Sequence, residues 1–378
     1  MGENFYNTWR PIQLKDIVGQ ETVVKSLTKE AEQDKFSHAY LFAGSFGSGK
    51  TSIARILATI LTCATRKPNT PMSCGRCRSC IGIHNGQCAD VLELDGASNR
   101  GIDDIRHIKE SVYYAPQELS KKVIIIDECH KLTSEAFTAL LKIIEEPPPY
   151  VHFILCTTDY RKVPKPIISR CQRFNFVKIP SKLMAERLAK VAEREKIKLS
   201  DGVALAISRV ADGSLRDGLG FLEQIAASSS GEVTMEAAMH FFGMAERRVI
   251  YEMAGMILDR NISGVLYKVN ELIVASVDIK TILIDISEVF RNVFLAKTVG
   301  TDTHLLDLNK DELDLIASWA AKLSTGSLLR IASSFSKIEK EITFNINERW
   351  ILEAALVNCI LILNAEEKVS DSSAVANR

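Results

Sequence analysis

The sequence predicts an α/β domain built on a parallel β-sheet, followed by a remainder that is helical throughout. Three observations predict it. A glycine-rich stretch, Gly44-Ser45-Phe46-Gly47-Ser48-Gly49-Lys50-Thr51, fits G-x-x-x-x-G-K-[ST] with no mismatch. Short apolar runs alternate with helical patterns through the first half of the chain. From Val249 onward, apolar residues recur at helical spacing. A chain of 378 residues has room for two or three domains with ample core. Its 46% hydrophobic and 25% charged content is that of a globular protein. Lys+Arg and Asp+Glu are both 47, so no overall positive field marks a nucleic-acid binder, and any DNA contact must come from local patches. No apolar run approaches the ~18 residues of a membrane span. The N-terminus also lacks a signal-peptide layout. The expectation is a cytoplasmic protein with no membrane role.

Residues 40–43 are short and apolar and read as a buried strand. Residues 52–63 place Ile53, Ile56, Leu57, Ile60 and Leu61 at a helical period. Strand, glycine loop and helix is the context in which the motif is specific. Glycines let the backbone fold around a phosphate, with its N–H groups and the helix N-terminus facing the negative charge. Lys50 would reach the outer phosphates and the Thr51 hydroxyl would sit on Mg²⁺. The residues imply binding of a nucleoside triphosphate.

Nine cysteines in a chain of this composition read as metal ligands or core residues rather than disulfides. Cys74-x-x-Cys77-x-x-Cys80 lies in a polar stretch rich in Gly, Pro and Arg that could not build its own core. Thiolates at this spacing can converge on one tetrahedral Zn²⁺. A ferredoxin-like cluster would need a further Cys-Pro where His84 stands, which argues against iron–sulfur. Spacing leaves Cys63, His84 and Cys88 open as the fourth ligand. No open coordination position or nearby base is evident, so the zinc is expected to be structural.

Four β-branched residues run into two carboxylates in Val123-Ile124-Ile125-Ile126-Asp127-Glu128, a buried strand ending where open α/β sheets bind ligands. Asp127 suits the Mg²⁺ shell, and Glu128 is placed to polarise the attacking water as general base. Residues 91–95 and 151–156 read as further strands, with a helix over 134–144 between the acidic pair and the latter. Thr157 and Thr158 follow that strand directly, where a hydroxyl could touch the γ-phosphate or only turn the chain. Residues 161–182 carry Arg161, Lys162, Lys165, Arg170, Arg173, Lys178 and Lys182 with no acidic residue. Such a run is solvated surface or faces phosphate or a neighbouring subunit.

These residues, taken together, resemble the gamma/tau subunits of the bacterial DNA polymerase III clamp loader, which are AAA+ ATPases. The likeness is carried by Trp9-Arg10-Pro11, Asp16-Ile17-Val18-Gly19-Gln20, His38-Ala39-Tyr40-Leu41-Phe42, the glycine loop and the cluster from Cys63 to Cys80. It continues through Gly96-Ala97-Ser98-Asn99, Tyr114-Ala115-Pro116, Asp127-Glu128-Cys129-His130, Leu140-Leu141-Lys142, Glu145-Glu146-Pro147-Pro148, Ser169-Arg170-Cys171 and Gly213-Ser214-Leu215-Arg216-Asp217. It covers residues 5 to about 225 closely; beyond Gly243, length and helical pattern suit the family's collar.

The resemblance implies an α/β P-loop AAA+ domain with a parallel sheet, then an all-helical lid and an all-helical collar domain. It implies Cys63, Cys74, Cys77 and Cys80 as zinc ligands, and Thr51 and Asp127 as magnesium ligands. Thr158 matches the sensor-1 position, Arg216 the sensor-2 arginine, and Arg170 an arginine finger offered to a neighbour's ATP. Residues from Trp9, Arg10 and Pro11 to Val18, Gly19 and Gln20 match the wall that holds adenine, and Gly44 to Ser52 hold the phosphates. Family members work with copies of themselves, delta and delta-prime in a ring-like pentamer that opens the sliding clamp and places it on primed DNA. Phe46 stands where the family often has a basic residue, Cys129 where a small aliphatic is usual, and Gly218 and Gly220 weaken the helix carrying Arg216, at about 1 kcal/mol each against Ala. The chain ends just past the collar, so the longer form's extension, which binds polymerase and helicase, is not expected within it.

The expected domains are 1–179, nucleotide-binding with a zinc module inserted at about 63–88; 180–242, a lid; 243–365, the collar; and 366–378, a disordered polar tail. Pro180 marks the linker, and Leu188, Val191, Ala192, Ala204, Leu205 and Ile207 form the lid's apolar stripe. Collar helices are expected over 249–258, 262–274, 279–299, 310–323 and 350–363. Two other classes compete. Asp127-Glu128-Cys129-His130 is also the D-E-x-H box of superfamily 2 helicases, but the chain is too short for two motor domains plus its helical third. A catalytically silent scaffold, like the family's delta-prime relatives, would have a degraded loop, whereas Lys50, Thr51, Asp127, Glu128 and Arg216 are all present.

Overall fold

The computed structural model describes the chain except residues 1–3, 68–69, 230, 244–246, 302–304, 307, 309, 343–346 and 377–378. It divides into two compact units, Met1–Met235 and Glu236–Arg378. The nucleotide-binding and lid segments together form the first unit. The division falls before the expected lid boundary at 242, so the helix at 235–242 goes largely with the second unit. Among the described residues, no helix is long and apolar enough to cross a membrane.

The first unit opens with α1 (Phe5–Thr8) and α2 (Glu21–Gln33), then β1 (Ala39–Ala43), α3 (Lys50–Thr62), α4 (Arg78–His84) and β2 (Val91–Asp95). It continues with α5 (Ile102–Tyr113), β3 (Lys122–Asp127), α6 (Ser134–Glu145), β4 (Val151–Thr157), α7 (Lys165–Arg170) and β5 (Gln172–Asn175). The five strands are all parallel, in the order β2-β3-β4-β1-β5. Alternation along the strands splits the core in two. Tyr40, Phe42, Val123, Ile125 and Ile154 face α2 and α3, while Leu41, Ile124, Ile126, Phe153 and Leu155 face α5 and α6. Burial on both faces explains why these strands read as continuous apolar runs.

β4 lies between β1 and β3, with Ala43 paired to Thr157. The loop after β1, the threonines after β4 and the acids after β3 therefore share the carboxyl edge of the sheet. β5 is an added strand that the sequence did not suggest. In Gln172-Arg173-Phe174-Asn175 only Phe174 is buried, because β5 is the sheet's edge and offers little apolar pattern.

The lid is α8 (Ser181–Arg194), α9 (Val203–Val210) and α10 (Leu215–Ser228). Pro180 precedes α8 directly, and the Ser214 hydroxyl caps α10 by accepting from the Asp217 N–H at 3.3 Å. Leu188, Val191, Ala192 and Ile207 are buried as expected, whereas Ala204 and Leu205 are only partly so.

The second unit is helical: α11 (Met235–Phe242), α12 (Arg247–Leu258), α13 (Ile262–Val274), α14 (Ile279–Thr298), α15 (Lys310–Lys322), α16 (Thr325–Ile342) and α17 (Glu348–Ala376). Its core includes Met253, Ile257, Ile286, Phe290, Trp319 and Leu356. α16 is the helix the sequence reading omits. Its opening Thr-Gly-Ser favours no helix, yet Leu328, Ile331 and Phe335 carry a stripe into the core. α17 runs on to Ala376, through the stretch expected as a disordered tail; Ala, Glu and Lys extend an established helix at little cost.

Candidate nucleotide-binding site and cysteine cluster

The glycine loop joins β1 to α3. Gly49 holds φ 99° at the start of α3, a conformation only glycine enters without strain. Gly47 has φ 64°, and a Cβ there would collide with the Ser214 side chain, so the loop lies directly against the lid. Leu215 N–H donates to Gly47 O at 3.2 Å across the same contact.

Lys50 is 5% exposed, and its Nζ donates to Gly44 O at 2.9 Å and Ser45 O at 2.7 Å. Burial pulls its pKa down, against the opposing pull of Asp127 and Glu128. Thr51 Oγ1 donates to Asp127 Oδ2 at 2.7 Å, closing the gap between α3 and β3. Glu128 follows in left-handed backbone, φ 45° and ψ 40°, and its Oε2 accepts from Thr158 Oγ1 at 3.1 Å. His130 Nδ1 stands 3.2 Å from the same Glu128 oxygen and 3.1 Å from Thr157 Oγ1.

A cavity of about 500 Å³ opens beside these groups, within the range of small-ligand sites. Trp9, Arg10, Pro11, Val18, the loop from Phe46 to Ser52, Asp127, Glu128 and Arg216 line it. Other residues expected to touch nucleotide stand elsewhere. Gly44 and Ser45 lie beneath Lys50 and hold it through their carbonyls. Gln20 is 3% exposed and braces the loop from behind, giving Nε2 to Ser48 O and Val177 O and taking the Val177 N–H. Gly19 packs against Ile179, and Thr158 reaches the site through Glu128. Arg170 is not at this cavity; its Nη2 pairs with Glu145 at 2.5 Å on the surface.

The N-terminal segment, the residue before the lid linker and the lid add residues the sequence did not suggest: Tyr6, Asn7, Ile179, Arg187 and Leu219. Arg216 lies over the Tyr6 ring at 5.0 Å. Phe5 N–H donates to Glu223 at 2.9 Å, Trp9 Nε1 donates to Glu195 at 2.9 Å, and Arg187 reaches Trp9 O at 3.4 Å. These contacts bring together segments more than 170 residues apart in the chain, so no local pattern could announce them. The basic run from 161 to 182 is partly spent on local partners: Lys162 on Asp159, Arg170 on Glu145, Lys178 on Asp212, and Arg173 over the Tyr160 ring at 3.9 Å.

The donor set fits a magnesium nucleotide. A hydroxyl and a carboxylate already in contact can share one hard cation, and Lys50, Arg10, Arg187 and Arg216 line the same cavity, giving it the positive charge an anionic ligand needs.

A second cluster sits at the far end of α3. Cys63 caps that helix, and Cys77 caps α4, its sulfur accepting from the Cys80 N–H at 3.5 Å. The sulfurs of Cys63, Cys74, Cys77 and Cys80 all lie within 4.8 Å of one another, with Cys74–Cys80 at 3.8 Å and Cys63–Cys77 at 4.0 Å. A tetrahedral Zn–S₄ site with bonds of ≈ 2.3 Å sets its sulfurs about 3.8 Å apart, so the four thiols suit that ion. Hydrogen bonding from the Thr65 side chain and the Arg76 backbone lowers the Cys74 thiol to about 5. His84 and Cys88, open as fourth ligands from spacing, stand outside this group.

The parallel sheet in the order β2-β3-β4-β1-β5, the glycine loop after β1 and the acids after β3 define the AAA+ class of P-loop proteins. The family model described as DNA polymerase III, delta subunit matches residues 19–180, and that for DNA polymerase III subunits gamma and tau, domain III, matches 233–371. DNA polymerase III subunit tau of Bacillus subtilis is 37% identical over 353 residues, 93% of this chain and 62% of that protein. The corresponding subunit of Escherichia coli is 34% identical over 309 residues, 81% of this chain and 48% of its own length. The chain belongs to the gamma/tau family of DNA polymerase III subunits, and spans less than two thirds of the length of these relatives. Among solved structures, the Thermotoga maritima RuvB Holliday junction branch migration motor overlaps at a TM-score of 0.47 and 18% identity, over 66% of this chain and 79% of that one.

Proposed function

We propose that this chain is the ATP-hydrolysing subunit of a clamp loader. With delta and delta-prime subunits and further copies of itself in a pentameric ring, it opens the sliding clamp and places it on primed DNA in the cytoplasm. The observation that carries the reading is the meeting of Lys50, Thr51, Asp127 and Glu128 at one sheet edge beside a cavity of nucleotide size.

Lys50 exchanges its two carbonyl partners for the β- and γ-phosphates. Thr51 and Asp127 would hold Mg²⁺, whose charge would stabilise the phosphate oxygens. Glu128 orients a water and takes its proton as the water oxygen bonds to the γ-phosphorus and the bond to the β–γ bridging oxygen breaks, giving ADP and phosphate. Thr158 sets the Glu128 carboxylate, Arg216 reads the γ-phosphate from the lid, and Arg170 acts on a neighbour's nucleotide. The aromatic and apolar wall around Trp9, Pro11 and Val18 holds adenine. Zinc on Cys63, Cys74, Cys77 and Cys80 is structural.

Lys50 acts on bound nucleotide and Glu128 only on water during reaction. Lys50→Ala is therefore expected to abolish ATP binding, and Glu128→Gln to bind normally with turnover lost. Equilibrium binding beside steady-state hydrolysis checks this; parental turnover by Glu128→Gln removes the general-base role.

A further inference from the structure

Glu128 leaves β3 in left-handed backbone, so no regular element fixes the direction of its carboxylate. Side chains must do so. Thr158 donates to Oε2 at 3.1 Å, and His130 Nδ1 stands 3.2 Å from the same oxygen. His130 is held in turn. Its Nδ1 lies 3.1 Å from Thr157 Oγ1, which takes the Asp159 N–H at 3.0 Å, and Thr157 has no exposed surface. The His130 side chain is 5% exposed and that of Glu128 16%, so water competes little for these contacts.

We propose that His130 is a positioning residue for ATP hydrolysis, its Nδ1–H shared between Thr157 Oγ1 and Glu128 Oε2 so that the other carboxylate oxygen faces the attacking water. The proposal rests on the reading of Glu128 as general base.

The tautomer follows from electrostatics. An unprotonated Nδ1 would turn a lone pair toward a carboxylate oxygen at hydrogen-bond distance, and only the N–H form makes that approach favourable. Burial pulls the ring's pKa down, against the pull of Glu128 and with Lys131 and Lys162 opposing a charge; Asp159 is the remaining acid near it. A neutral Nδ1–H tautomer keeps the donor in place without neutralising the base. Two donors on one oxygen restrict the rotation of a carboxylate that must meet water at a fixed angle. Glu128 lines the cavity and His130 does not, so the effect of the ring passes through Glu128.

The test measures kcat and ATP affinity of the full chain for His130→Ala and His130→Asn, beside Glu128→Gln. Loss of an outer partner to a reacting group costs about 10–100-fold. His130→Ala is expected to lose that much in kcat with ATP affinity unchanged. His130→Asn, whose amide N–H can occupy the place of Nδ1–H, is expected to recover most of it. In single turnover, adding His130→Ala to Glu128→Gln is expected to cost nothing more. Parental kcat in His130→Ala, with Glu128→Gln inactive, overturns the proposal and leaves the general base standing. Equal impairment of the Ala and Asn variants with weakened ATP binding also overturns it, since the ring would then only fill space. Parental turnover by Glu128→Gln removes the general base itself.

Discussion

Asp285, on α14, has its pKa raised from 3.8 to about 6, first by burial and then by Glu288. A carboxyl held this way binds its proton more tightly in the folded than in the unfolded chain. Stability from this group is greatest at low pH, falls as pH rises from about 4 to about 6, and is level above that. Asp285→Asn removes the ionisation and is expected to stabilise the second unit at pH 7 by up to about 2 kcal/mol. Thermal unfolding at pH 4 and pH 7 checks it; an equal effect at both contradicts a titrating cause. Single residues were unevenly legible. Lys50, Thr51, Asp127 and Glu128 could be read because a phosphate loop and an acidic strand end demand those side chains in that order. Gln20 was placed in the right neighbourhood with the wrong work, since its amide braces the loop from behind through Ser48 and Val177. Arg187 carried no signal, because it sits on a lid helix whose other cations look the same in sequence.

At the scale of elements, β1 to β4 announced themselves by apolar runs and β5 did not, having only Phe174 buried. The cysteine module combines a few buried side chains, Cys80 and Ile83 among them, with four sulfurs set close together. Structural zinc contributes folding free energy directly, so its loss should melt the module while the sheet persists. We expect one zinc per chain by elemental analysis, and loss of that zinc in Cys77→Ser with ATP binding retained. Protein purified without chelator and free of zinc would contradict the assignment. Thiols this close also oxidise readily once the metal is gone, so the stripped module should form disulfides in air.

For the whole molecule, the telling residue is Arg170, which lies away from the cavity of its own chain. Its guanidinium shares Glu145 on the surface, an exposed contact of the kind that contributes little and is readily exchanged for a stronger anion. An arginine finger in trans can be worth about 10³–10⁵ in rate. Chains carrying Arg170→Ala keep their own nucleotide grip, and chains carrying Lys50→Ala keep their finger. Assemblies of the two mixed are expected to hydrolyse more ATP than either variant alone. No recovery in complexes shown to contain both chains would remove Arg170 from catalysis in trans. Assembly is also where the sequence was least informative, because residues that meet another chain obey no periodicity within their own.

The N-terminal segment is fastened to α8 and α10 through Glu195, Arg187 and Glu223, although it forms one wall of the nucleotide cavity. Of the residues proposed to hold the base, Trp9 is therefore tied to the lid, whereas Val18 sits beside Gln20, which is tied to the phosphate loop. A rotation of α8 and α10 would carry Tyr6, Trp9, Arg187 and Arg216 as one body. Apparent affinity becomes a report on posture: a lid shut one time in ten weakens binding about tenfold at unchanged contacts. A partner that biased that posture would change nucleotide occupancy without touching the nucleotide.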